Sequence, residues 1–353
     1  MAANSIPAEL LDHHRASAVL LSDLSKIRKI CGFTGSRALL VIRAESQHLL
    51  TDPRYAAQAD GEVHNAEVII GEGSFCSVLH KAQLLRGGSV LFESDHLTVA
   101  ESAEWQEAFP AVTWLPGKQL LSGFMACKTN AEVGLMRKAQ AITEAVFEQI
   151  LDIIRPGQTE REIAAEIVYA HLCRGAERMA FDPIVASGPR SALPHARPTD
   201  RPLQEHETVL LDFGCVYQGY ASDMTRIVAL GTPADEVYQV HEVVYEAQSR
   251  ALAAATAHMS ASALDAVARR VITKAGFGSG FTHSLGHGIG LEVHEWPRVS
   301  KQAKSSLPPG ATITIEPGVY LAGKFGIRIE DTVVLRERGC ERLGSLARQL
   351  FIV

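Results

Sequence analysis

Short apolar runs near residues 18–21, 38–42 and 89–92 alternate with helical stretches near 53–59 and 96–109. Runs of that length between polar segments predict strands, and their alternation with helices predicts a small α/β domain over residues 1–125. The pattern changes past a join near 125–129. Thr129 and Glu132 stand at capping-box spacing, which predicts a long helix through Ile153, stopped by Pro156 and Gly157. Thr159 and Glu162 repeat the signal and predict a second helix to about Cys173. Segments 207–230 and 311–335 read as β-rich, with helical stretches near 234–257 and 262–274 between them. Two β hairpins separated by helices suit a pseudo-symmetric α/β sheet. A second, larger α/β domain is therefore expected over residues 126–353.

Composition narrows the class. A length of 353 residues fits two domains. With 46% hydrophobic and 21% charged residues, the chain reads as an ordinary globular protein. Its net charge of −6 and lack of a basic run argue against a nucleic-acid partner. The cysteines, at 31, 76, 127, 173, 215 and 340, show no C-x-x-C spacing, as expected of reduced cytoplasmic thiols. Glu9, Asp12, His13 and His14 interrupt any signal-peptide core, and no apolar run approaches the ~18–20 residues of a membrane span. A cytoplasmic protein without a membrane partner is expected.

The chemistry concentrates in the second domain. Asp212 ends the apolar run TVLLD, and Asp223 follows a turn near Gln218. A hairpin there sets the two aspartates opposite or diagonal on one face, where their charges repel unless a cation lies between them. In ATITIEPG, Thr312, Thr314 and Glu316 share a face, and Pro317 should end or bend the strand after Glu316. In GIRIEDTVV, Arg328, Glu330 and Thr332 share a face, so Arg328 could fix a carboxylate, although an ordinary surface ion pair is the simpler expectation. His283 and His287 have the H-x-x-x-H spacing of a zinc-binding helix, but Gly286, Gly288 and Gly290 argue against a helix there. Alternate glycines point instead to close backbone approach. His294 follows on the same segment, and His195 sits on a Pro-bounded loop. Four carboxylates and a histidine suit two divalent metals sharing bridging oxygens, and so metal-assisted hydrolysis.

The segments LLDFGCVYQGYASDMTR, HSLGHGIGLEVHE, TIEPGVY and RIEDTVV closely resemble the dinuclear-metal Xaa-Pro peptidases of the pita-bread fold, the prolidases and Xaa-Pro aminopeptidases. SKIRKICGFTGSRALLVIRAESQHLLTDPRYAAQA resembles the creatinase-like N-terminal domain of that family, and KTNAEVGLMRKA resembles the start of its catalytic domain. The resemblance implies that Asp212 binds one metal, that His287 and Glu316 bind the other, and that Asp223 and Glu330 bridge both. It implies that His195 and His294 stabilise the tetrahedral intermediate and handle protons, and that His283 lines the substrate side. Glu316 is the general-base candidate. Mn²⁺ is the expected metal, with Co²⁺ and Zn²⁺ also accepted by this ligand set. The family further implies a homodimer in which the N-terminal domain of one subunit borders the other's active site. Arg298, four residues after His294, resembles an arginine with which prolidases pair a dipeptide's carboxylate, which favours a dipeptidase slightly. GFTGS and TDPRY equally resemble compact Xaa-Pro aminopeptidases. A creatinase-like amidinohydrolase and a non-catalytic binding module are the rivals from other classes, but such relatives have lost ligands that this chain keeps. Methionine aminopeptidase shares the fold but has no reason to carry the N-terminal domain.

Overall fold

The computed structural model describes residues 6–353, with side chains from residue 10 onward. The chain forms two compact units, Met1–Leu121 and Ser122–Val353.

The first unit is built on a six-stranded mixed sheet. Its order is Glu67–Ile70, Gln47–Thr51, Leu39–Ile42, Ala18–Leu21, Gly88–Glu93, Val112–Gly117. The central strands are buried on both faces, which is why they read as unbroken apolar runs rather than alternating ones. Thr98 and Glu101 close a capping box on helix Val99–Ala108. The helix Leu24–Cys31 and the strands Gln47–Thr51 and Glu67–Ile70 have weaker sequence signals. The helix carries charge inside its apolar stripe, and the edge strand Glu67–Ile70 buries none of its residues.

The second unit consists of two helix pairs, each covering a sheet. Both expected capping boxes form, on Asn130–Ile153 and Glu160–Cys173. These helices pack Val146, Phe147, Ile150, Ile163 and Ile167 against Val209, Leu211, Met224 and Val228. The strands beneath run in the order Phe351–Ile352, Met224–Ala229, Thr208–Phe213, Ile184–Ser187. Helices Asp235–Ala254 and Ala261–Lys274 pack Val240, Val244, Leu264 and Ala268 against Ile313, Ile315 and Val333. Their sheet has the order Glu295–Val299, Gly286–Gly288, Thr312–Ile315, Asp331–Leu335, Cys340–Arg342. Each such aliphatic side chain contributes about 1.5–3 kcal/mol on burial, so the helices fix the sheets firmly.

Two backbone features place the chemistry. Strands Thr208–Phe213 and Met224–Ala229 pair antiparallel, and the connecting ribbon turns at Gln218 (φ 45°) and Gly219 (φ 81°), between the paired Tyr217 and Tyr220. Two positive φ angles are what a tight primed hairpin turn requires. The second feature departs from the sequence expectation. Residues 325–335 do not form one alternating strand. Phe325–Arg328 pairs with Gly318–Leu321, whereas Asp331–Leu335 pairs with Thr312–Ile315. Both ladders are broken at 316–317 and 329–330, yet their common register continues across the break and sets Glu316 opposite Glu330. Every residue from 325 to 335 is buried, so no alternation marked the break.

Candidate metal centre

The hairpin register pairs Asp212 with Thr225, which sets Asp223 diagonally across from Asp212 on the same face. Both aspartates are buried. The broken ladder adds the other two carboxylates, because its freed N–H groups bond to neighbouring segments. Glu330 N donates to Thr225 O of the aspartate hairpin at 3.2 Å, and Glu316 N donates to Leu285 O of the histidine segment at 2.8 Å. Three segments thereby converge on one point.

His287 arrives on a short strand rather than a helix. A Cβ on Gly286 would come within 2.0 Å of Thr314 O, and one on Gly288 within 2.4 Å of Trp296 O. The alternate glycines therefore allow the backbone of this strand to lie against its neighbours. His287 Nδ1 donates to Gly288 O at 3.0 Å, which leaves Nε2 as the lone-pair nitrogen. Nε2 lies 3.4 Å from Glu316 Oε1 and 3.6 Å from Asp223 Oδ2. Asp223, His287 and Glu330 each offer a ligand atom, all within 4.8 Å of one another.

The electrostatics of this cluster are unresolved by protein groups alone. Burial, together with Asp212 and Glu316, holds the Asp223 carboxyl well above the usual range. Burial and the neighbouring carboxylates do the same to Glu330. Glu316 is pushed up to about 7, chiefly by burial. Asp212 Oδ1 and Asp223 Oδ1 are buried without a hydrogen-bond partner among the described residues. Orphaned carboxylate oxygens crowded around a lone-pair imidazole fit hard divalent cations, which take the place of the missing protons.

Arg328 is buried, at 3% exposure, not part of a surface pair. Nη2 donates to Asp212 Oδ2 through a short contact, and Nε donates to Thr225 Oγ1 at 3.0 Å. Thr225 Oγ1 in turn donates to Glu330 Oε2 at 2.6 Å. Arg328 Nη1 donates to Tyr320 OH at 2.6 Å and to Pro194 O at 3.1 Å. Because His283 Nδ1 donates to Ser284 O, its Nε2 accepts from Tyr320 OH at 3.0 Å. Burial, with Arg328 nearby, lowers the His283 pKa to about 4. Thr314, placed on the face of Glu316 by the sequence, donates to Glu316 Oε1 at 3.1 Å, whereas Thr225 and Tyr320 were not singled out. Their one signal was a hydroxyl side chain inside buried strands.

The remaining candidates surround this core. The His294 ring meets the His287 ring edge-on, with centroids 4.3 Å apart. Burial, His287 and His195 lower the His294 pKa, and His195 also lowers that of His283. His195 and His294 are both exposed and share one electrostatic neighbourhood. Arg298 is exposed, and its Nε donates to Ser284 Oγ at 2.8 Å, beside His283. Among the described residues its Nη groups hold no other hydrogen bond.

Residues 134–337 match metallopeptidase family M24. The chain belongs to this family. Residues 8–124 match the creatinase/prolidase N-terminal domain. The M24 chain is 34% identical to a solved Xaa-Pro dipeptidase from Bacillus anthracis, with a TM-score of 0.96 over 99% of both chains. It is 39% identical to an X-Pro aminopeptidase from Thermotoga maritima, with a TM-score of 0.91 over 98% of this chain and 100% of the other. A curated Xaa-Pro dipeptidase of Pyrococcus furiosus is 44% identical over 63% of this chain and 64% of its own length. The M24 chain is thus a metallopeptidase of mixed α/β fold, in a family that uses divalent metal ions. No helix among its described residues is long and apolar enough to cross a membrane.

Proposed function

We propose that this chain hydrolyses the peptide bond between an N-terminal residue and proline, with dipeptides as the favoured substrates. The observation that carries this is the cluster of Asp212, Asp223, His287, Glu316 and Glu330, with its orphaned buried oxygens. In this reading Asp212, Asp223, His287, Glu316 and Glu330 would together hold two divalent ions, with Asp223 and Glu330 shared between them. Mn²⁺ is the proposed metal. Residues 126–353 carry the chemistry, and residues 1–125 form the accessory N-terminal domain of a cytoplasmic homodimer.

The bound ions supply Lewis acidity and a water acidic enough to ionise near neutral pH. Glu316 takes a proton from the attacking water at a carboxylate oxygen. His195 and His294 donate to the oxygen that gains charge as the carbonyl is attacked, and one of them passes a proton to the departing proline nitrogen and is recharged by the proton that Glu316 took. Arg328 holds Asp212 in place through its guanidinium, and Tyr320 orients His283 on the substrate side. An X-Pro bond is a tertiary amide without an N–H, so a peptidase must recognise it by shape and by its ends. A dipeptide offers a carboxylate at one end.

Arg298 supports the dipeptide reading. Its Nε is fixed on Ser284, which turns the guanidinium into a placed carboxylate receptor beside His283. The relatives named as dipeptidases agree with this reading, and the Thermotoga maritima aminopeptidase keeps the longer-peptide alternative open to test. The test compares Ala-Pro with Ala-Pro-Xaa tripeptides. Arg298→Ala should raise KM for Ala-Pro by about 2 kcal/mol, roughly thirtyfold, and change tripeptide turnover little. Equal losses on both substrates would remove Arg298 from carboxylate recognition. A wild-type preference for long peptides would make the chain an aminopeptidase.

A further inference from the structure

His195 has no side-chain hydrogen bond among the described residues and is exposed, so its ring can be aimed only through the backbone that carries it. That backbone is a loop between Ser187 and Thr199, and one side chain grips both of its ends. Glu160, the first residue of helix Glu160–Cys173, is fully buried. Its Oε1 accepts from Ser187 N at 2.8 Å and Ser187 Oγ at 2.8 Å. Its Oε2 accepts from Thr199 N at 3.0 Å and Thr199 Oγ1 at 2.7 Å. Arg190 Nε, from within the loop, donates to both oxygens at 3.2 and 3.0 Å. The helix start adds Glu160 N to Arg201 O at 3.2 Å and Arg161 N to Thr199 O at 3.1 Å.

The middle of the loop is tied to the metal centre. Arg328 Nη1 donates to Pro194 O at 3.1 Å, immediately before His195, and Gly326 N donates to Ser191 Oγ at 2.8 Å. The loop is thus pinned at its two ends by one carboxylate and at its tip by the strand that carries Arg328. A carboxylate that only capped a helix would face solvent at the first turn. This one is buried, and every contact it makes with a side chain goes to the residues that frame His195. Burial opposes its charge, yet these donors hold its pKa below the ordinary value.

We infer that Glu160 is a positioning residue for the reaction, setting His195 over the metal centre by fixing both ends of the 187–199 loop. This rests on the proposed role of His195 in Xaa-Pro hydrolysis. Glu160→Gln puts an amide donor against backbone and hydroxyl donors, so part of the grip is lost without a change in size.

The test is a double-mutant cycle on the metal-loaded protein with Ala-Pro as substrate. Glu160→Gln should lower kcat about 10- to 100-fold, with KM within about threefold and metal content unchanged. In the His195→Ala background the same substitution should cost less than about twofold, because the residue through which it acts is gone. An equal fold-loss in both backgrounds would overturn the proposal and make Glu160 a general scaffold residue. Thr199→Val removes one donor at constant shape, and should show the same non-additivity at a smaller size if Glu160→Gln fails to fold. Wild-type turnover of His195→Ala alone would overturn the reading of His195 itself, in a protein whose Glu160 is intact, and the positioning role with it.

Discussion

At the scale of single residues, the proposed site divides into groups that hold charge and groups that move it. Asp223 and Glu330 are buried and Glu316 is half-buried beside them, and this crowded, desolvated setting holds each above its ordinary pKa. His195 and His294 are exposed and make no ligand contact with the cluster, apart from the edge of the His294 ring against His287. Their removal should therefore leave the metal in place. His195→Ala or His294→Ala should keep metal content at the wild-type level and lower kcat by about 10²–10⁴, the range of acid–base and oxyanion-stabilising groups. Loss of metal from either variant would make that histidine a ligand instead. Asp212, His287, Glu316 and Glu330 were legible in the sequence because each lies in an apolar or Gly-rich run where a polar side chain is unexpected, whereas His195, on a Pro-bounded loop, was given a role only through the family resemblance. The sequence did not make Glu160 legible. An acidic residue after a capping threonine reads as an ordinary solvated first-turn charge, and only the fold buries it.

At the scale of elements, the two capping boxes at Thr129 and Thr159 were readable because the signal is local and complete within four residues. The tight turn at Gln218–Gly219 was readable for the same reason. The break that sets Glu316 against Glu330 was only half readable. Pro317 marked one side, but Ile329–Glu330 lies in a stretch buried on both faces, where period-two reasoning has nothing to detect. This break has a consequence for pH dependence. Glu316 has an ordinary value of 4.5 and is pushed up to about 7 in the folded, metal-free protein. Between those values the native state binds more protons than the unfolded chain, so stability falls as pH rises. Asp223 and Glu330 shift in the same direction and extend the effect. Mn²⁺ should therefore raise Tm more near pH 8 than near pH 6, because it displaces fewer protons from these carboxyls at the higher pH. Thermal unfolding of chelated and Mn²⁺-loaded protein at both pH values checks this. A stabilisation by Mn²⁺ that is larger near pH 6 would contradict the raised carboxylates.

At the largest scale, two helix pairs cover two sheets of the second unit, and each sheet delivers part of the proposed ligand set. The first supplies Asp212 and Asp223. The second supplies His287, Glu316 and Glu330. Neither half has enough donors for two ions alone, so binding them should unite the second unit thermodynamically. The proposed two-ion site is tested most directly by metal content from elemental analysis, followed in parallel with Ala-Pro hydrolysis as chelated protein is titrated with Mn²⁺. Turnover should be absent without metal and reach its plateau at about two ions per chain. Asp223→Asn and Glu330→Gln should hold fewer than two and turn over negligibly, because an amide bridges poorly. Sustained Ala-Pro hydrolysis by the chelated protein, or two bound ions and wild-type turnover in either variant, would contradict the two-ion site.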